Sequence, residues 1–151
     1  MPLIDDSTPT TTPERLALSE EAAKNLAETI RREPDPFNAS SATPIAPSLL
    51  SAEHIENYVL KTGLISPFYL DGGDDGRLKK ASYEGRIGDH AYQFDDKAEI
   101  VSVPFQDDSL VVPANSIVFV ECDLEFRLPQ YIAIRFNLQI RHVHRGLLLG
   151  T

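Results

Sequence analysis

Between Tyr131 and Arg141 apolar and polar residues alternate without a break. Ile132, Ile134, Phe136, Leu138 and Ile140 fall on one side; Ala133, Arg135, Asn137, Gln139 and Arg141 fall on the other. A period of two held this long predicts a half-buried β-strand, with a core behind one face and polar, partly cationic groups on the other. Arg141, His142, His144, Arg145 and Gly146 follow at once, and then apolar Leu147 to Leu149, which reads as a further strand. Guanidinium groups match phosphate oxygens and imidazole can donate a hydrogen bond. Arg141, His144 and Arg145 are therefore the candidate anion-binding residues, set against the plainer reading of exposed cations at a strand end.

Charge narrows the class of partner. The chain of 151 residues carries a formal net charge of -9, which argues against nucleic-acid binding, since that needs a basic footprint. A single cysteine, Cys122 in VFVECDL, excludes an intrachain disulfide framework and a cysteine-rich zinc site. It reads as a small strand side chain. His142 and His144 are spaced to share a strand face, but zinc needs further ligands, so no metal site is expected. The absence of a signal-like apolar run and of a stretch approaching about 18 apolar residues points to a soluble, cytoplasmic protein with no membrane partner.

Local signals divide the chain. Residues 1–17 read as a flexible tail, its first thirteen rich in Thr, Pro and Asp. Leu18 to Glu33 reads as a helix: Ser19 can cap it, Glu20 and Glu21 sit in its first turn, Arg31 and Arg32 in its last, and Pro34 stops it. Its apolar stripe is Leu18, Ala22, Leu26 and Ile30, with Ala23 and Ala27 beside it. Residues 34–49 form a linker rich in Pro, Ser and Ala. Ala52 to Thr62 is a second helix, with Ser51 as N-cap and Gly63 placed as the residue that ends it. The loop DGGDDGRLKK, Asp71 to Lys80, lacks both the spacing of a calcium loop and a following GK[ST], so it reads as a solvated turn. Seven short candidate strands follow: Ser82 to Ile87, Ala91 to Phe94, Ile100 to Val103, Ser109 to Val112, Ser116 to Cys122, Tyr131 to Arg141 and Leu147 to Leu149. Turn signals between them, at Gly88-Asp89, Asp95-Asp96, Pro113-Asn115 and Leu128-Pro129, indicate a mainly β barrel or sandwich. Glu84 and Arg86 share a strand face and read as an ion pair.

Three blocks carry a resemblance to a known family. They are LSAEHIENYVLKTGLISPF (Leu50 to Phe68), ASYEGRIGDHAYQF (Ala81 to Phe94) and DSLVVPANSIVFVECDLEFRLPQYIAIRF (Asp108 to Phe136). In this order they resemble the dCTP deaminase branch of the dUTPase-like superfamily. Glu84 stands where that family usually has Asp. Arg86, Gly88, Pro113, Glu125, Leu128 and Pro129 fall in place. The resemblance implies a dUTPase-like distorted β-barrel or jelly-roll over residues 50–151, incomplete at its C-terminal side, preceded by the N-terminal helices. It also implies a homo-oligomer, usually a trimer, or a second chain that completes the barrel. The implied ligand is a deoxynucleoside triphosphate held between subunits, with Mg2+.

The chain departs from the family at the phosphate grip. Counted from Leu128-Pro129, the family's G-R-S-S falls on Leu138, Gln139, Ile140 and Arg141; His144 falls on a later Arg and Gly146 on the closing Gly. Gln139 thus joins the candidate phosphate-binding residues, but the core hydroxyls are lost, and Ile cannot replace them. The glutamate expected as general base would lie beyond Thr151. The expectation is a diverged or truncated domain of dCTP or dUTP metabolism, not catalytic as this chain. The rivals are the N-terminal part of an active dCTP deaminase or dUTP diphosphatase, and a non-enzymatic assembly module.

Overall fold

A computed structural model of the chain describes residues 12–30, 32–107 and 109–150. These form, in chain order, β1 (Glu14–Leu18), α1 (Glu20–Ile30), α2 (Ala52–Thr62), β2 (Ile65–Ser66), β3 (Phe68–Asp71), a 3-10 turn (Gly73–Asp75), β4 (Ile87–Phe94), β5 (Ile100–Ser102), β6 (Phe119–Cys122), β7 (Glu125–Phe126) and α3 (Ile140–Val143). The expected tail residues up to Thr11, and Arg31 and Asp108, lie outside the described residues.

Helix α2 begins and ends where its caps dictate. The Ser51 hydroxyl accepts from the His54 N–H at 3.3 Å, satisfying one of the free amides of the first turn. Gly63 closes the other end at φ 69°, and its N–H donates to the Val59 carbonyl at 2.9 Å. The same glycine decides how the two helices pack. A Cβ there would lie 2.1 Å from the Ala23 carbonyl oxygen of α1. That close approach fixes the buried face of α1 on Ala23, which is fully buried, with Leu26, Ala27 and Ile30 partly covered; Ala22 is exposed. The stripe therefore sits one residue round from the expected one. Ser19 caps α1 through the Ala22 N–H at 3.3 Å. Arg32 lies in a turn beyond α1 (Glu20–Ile30) rather than in its last helical turn.

The core lies beneath these helices. Leu18, Ala23, Ile55, Tyr58, Val59, Leu64, Ile65, Phe68 and Leu124 are buried together, with Phe37, Tyr83, Phe126, Tyr131 and Ile132 packed around them. Linker residues take part. The Tyr58 hydroxyl donates to the Asp35 carboxylate at 3.0 Å, and Phe37 meets the Tyr58 ring edge-on at 4.9 Å.

The mainly β barrel expected from the sequence does not form. The described residues make three small antiparallel sheets, β1–β3, β2–β7 and β5–β4–β6, with no closed barrel. Strand and helix take near-equal shares, 23% and 21%, so the fold class is mixed α/β. The decisive difference is the alternating segment itself. Residues 132–139 have no regular structure, and Ile140–Val143 turn into a short helix. Alternation states which side chains would share a face; it supplies no neighbouring strand for the N–H and C=O groups, and an unpaired strand is not stable. Only the start of the segment, Tyr131 and Ile132, reaches the core.

Smaller differences have the same cause. Tyr83 makes only an isolated bridge with Leu78, and Ser109 only one with Gln106. Leu147 to Leu149 form no strand. Gly88-Asp89 is not a turn but lies inside β4, where the pairing with β6 shifts register between Ile87 and Ala91. Strand β1, which falls at the end of the segment read as a tail, pairs Glu14 with Asp71 and Leu16 with Tyr69. Asp95-Asp96 does turn the chain: the Asp95 carboxylate accepts from the Lys97 and Glu99 amides at 2.8 and 2.9 Å.

Candidate functional site

The residues expected to hold phosphate lie around α3. Gln139 occupies its N-cap position, half-buried, and its side chain makes no capping bond. Arg141, His144 and Arg145 are exposed and follow within about one turn, with the Gly146 N–H closing on the Val143 carbonyl at 2.9 Å. The placement is close to the chain order and no more. Among the described residues no hydrogen bond joins these cations to a second element, and a helix this short offers no dipole of consequence.

A tighter charged arrangement sits elsewhere, at residues for which the sequence gives no local signal. Arg77, in the glycine-rich loop after β3, is 7% exposed. Its Nη1 donates to Asp123 Oδ2 at 2.7 Å, its guanidinium carbon stands 4.7 Å over the Tyr69 ring, and its Nε lies 3.5 Å from Glu14 Oε1. Asp123 Oδ1 accepts from the Arg86 amide at 2.6 Å. The Arg86 guanidinium approaches Glu14 at 3.5 Å, so its ion-pair partner is Glu14 and not Glu84. Burial works against the Arg77 charge, but the Asp123 hydrogen bond and carboxylate, aided by Tyr83 and Glu14, outweigh it and push the pKa up. This cation ties β1, β3 and the loop to Asp123 just after β6, while its buried Nε makes no hydrogen bond. Its contacts with Asp123 and Glu14 make it a structural ion pair.

A cleft of about 370 Å3 opens between α1 and the Leu128-Pro129 turn, lined by Lys24, Glu28, Thr62, Arg127 and Pro129 among others. Its guanidinium is already occupied. Arg127 donates to the buried Ser66 hydroxyl at 2.5 Å and to the Glu125 carboxylate. A ligand anion would have to displace both.

Among the described residues five groups besides Arg77 have shifted pKa values, all tyrosines or the cysteine. Burial pushes Tyr58, Tyr83, Tyr131 and the Cys122 thiol upward, and Tyr92 moves the same way through desolvation and Glu121. Each shift holds the group more firmly in its neutral form at neutral pH, opposite to what a nucleophile or general base requires. Cys122 lies on β6, and its sulfur packs where a Gly85 Cβ would be, 2.7 Å away; it is a strand side chain. Among the described residues no group of three His, Cys, Asp or Glu is placed to hold a metal ion, and no helix is long and apolar enough to cross a membrane. Comparison with protein-family models, curated proteins and solved structures gave no match.

Proposed function

We propose that the chain is a diverged domain of deoxynucleotide metabolism, related to dCTP deaminase and dUTPase, that performs no chemistry of its own. What carries the reading is the way its three resemblance blocks pack. Strand β2 of the first block pairs with β7 of the third, Ile65 opposite Phe126. Strand β4 of the second pairs with β6 of the third, Tyr92 opposite Phe119. Arg77 in the loop between the first two blocks is clamped by Asp123 of the third. The blocks thus act as one folding unit, and the reading rests on them rather than on a barrel. Against chemistry stands the altered phosphate grip, where Leu138, Gln139 and Ile140 replace the glycine, Arg and hydroxyl positions of the family motif. A nucleotide with Mg2+ would meet only the exposed cations Arg141, His144 and Arg145 and the side chain of Gln139, a weak and salt-sensitive contact.

Thermal unfolding with dCTP or dUTP plus Mg2+, alongside assays for ammonia and pyrophosphate release, tests this. The expected result is little or no shift in midpoint and no product. A rise of several degrees abolished by Arg141→Ala, or turnover of either nucleotide, refutes it.

A further inference from the structure

The sheet β5–β4–β6 buries almost nothing. Among its strand residues only Ala91 is fully covered, while Phe94, Ile100, Phe119 and Val120 are 54%, 69%, 52% and 47% exposed. The register places four of its large side chains on one face. Tyr92 is opposite Phe119, Phe94 is opposite Ile100, and residues directly opposite share a face. Phe94 and Phe119 meet edge-on at 5.6 Å. His90 stacks beside Tyr92 at 6.4 Å; Glu121 accepts from the Tyr92 hydroxyl at 3.4 Å and lies 3.4 Å from His90 Nδ1. Such a contiguous aromatic face marks an interaction surface.

Charge says what covers it. Glu121 lies on this face beside Tyr92 and His90, and from Ile87 to Cys122 the only Lys or Arg is Lys97, against Asp89, Asp95, Asp96 and Glu99 in and around the strands. After Glu125 the pattern inverts: no Asp or Glu occurs again, while Arg127, Arg135, Arg141 and Arg145 do. That basic segment also holds unburied apolar side chains, Phe136, Ile140, Val143 and Leu148, at 50%, 74%, 48% and 90% exposure. It is apolar and cationic where the sheet is apolar and anionic. Tyr131 and Ile132 anchor it in the core, and Phe136 packs edge-on against Phe126 of β7 at 5.3 Å.

We propose that the basic segment around Ile140–Leu148 of one chain docks on the acidic, aromatic face of β5–β4–β6 of a second copy. The contact is heterologous, so repeating it builds a ring or a chain of subunits. It requires no nucleotide and does not rest on the nucleotide reading.

Sedimentation velocity of the full chain over a concentration series, at about 50 mM and about 500 mM salt, reads the contact. Two charge-reversed variants complete the test: Arg141→Glu with Arg145→Glu, and Glu121→Arg. All three residues are exposed, so far-UV circular dichroism should be unchanged in both. The expected result is self-association that weakens at high salt, is at least about tenfold weaker in each variant, and returns when the two variants are mixed. A wild type that stays monomeric throughout overturns the proposal. Variants that associate as tightly as wild type overturn it too, since another surface is then responsible. So does a mixture that fails to regain association.

Discussion

Replacing Gly63 by alanine separates two costs that are usually confounded. At φ 69° any L side chain pays for the left-handed conformation, about 1–2 kcal/mol. The added Cβ would also lie 2.1 Å from the Ala23 carbonyl oxygen, with the Ala23 carbonyl carbon and Cα at 2.9 and 3.0 Å. These are backbone atoms and cannot swing aside. Helix α1 would have to withdraw by more than an ångström, opening gaps along Ala23, Leu26 and Ile30. Gaps of about 0.5–1 Å already forfeit a quarter to a half of a contact's dispersion energy, and overpacking of this kind costs about 1–3 kcal/mol. Gly63→Ala should therefore destabilise by about 2–5 kcal/mol. Gly146 is the matched control: its φ is 85°, and a Cβ there meets nothing within 4 Å. Gly146→Ala should cost no more than the conformational part, about 1–2 kcal/mol. Urea unfolding followed by far-UV circular dichroism gives both values. Equal losses in the two variants would mean that α1 does not rest on Gly63, and the account of helix packing would be wrong.

Two further outcomes follow from the charged and hydroxyl groups. Asp123→Ala leaves the Arg77 guanidinium buried without its main partner and should cost about 3–5 kcal/mol; adding Arg77→Met should restore part of that loss in a double-mutant cycle, and strictly additive losses would show that the pair is not coupled. Tyr58 has its pKa raised, first by burial and then by the Asp35 carboxylate. A raised folded-state pKa contributes stability that is complete below the ordinary tyrosine value near 10 and drains away as pH climbs toward the folded value. Wild-type stability should fall more steeply above about pH 10 than that of Tyr58→Phe, measured by urea midpoints across alkaline pH; parallel curves would refute the Tyr58 assignment.

The chain's own chemistry set the parts that depend on neighbours a few residues away. Ser51 and Gly63 delimit α2 because capping is a bond between residues three or four apart. Asp95 turns the chain by accepting from its own next amides. Ile100 to Ser102 pairs as a strand within the candidate segment Ile100 to Val103. The basic run from Arg141 to Arg145 was equally plain, since charge needs no fold to be counted. What tertiary structure decided is every matter of partnership. Tyr131 to Arg141 has the pattern of a strand but pairs with none among the described residues, so it stays irregular and ends in a helical turn. Glu14 to Leu18 lacks a strong pattern and is a strand because β3 lies beside it. Arg77 looks like any loop cation, and only the return of the chain 46 residues later brings Asp123 to it. Periodicity and capping act through adjacent backbone; sheet pairing, burial of a charge and the choice of which helix face is covered act through contacts between distant segments, which come into being only when the chain has folded.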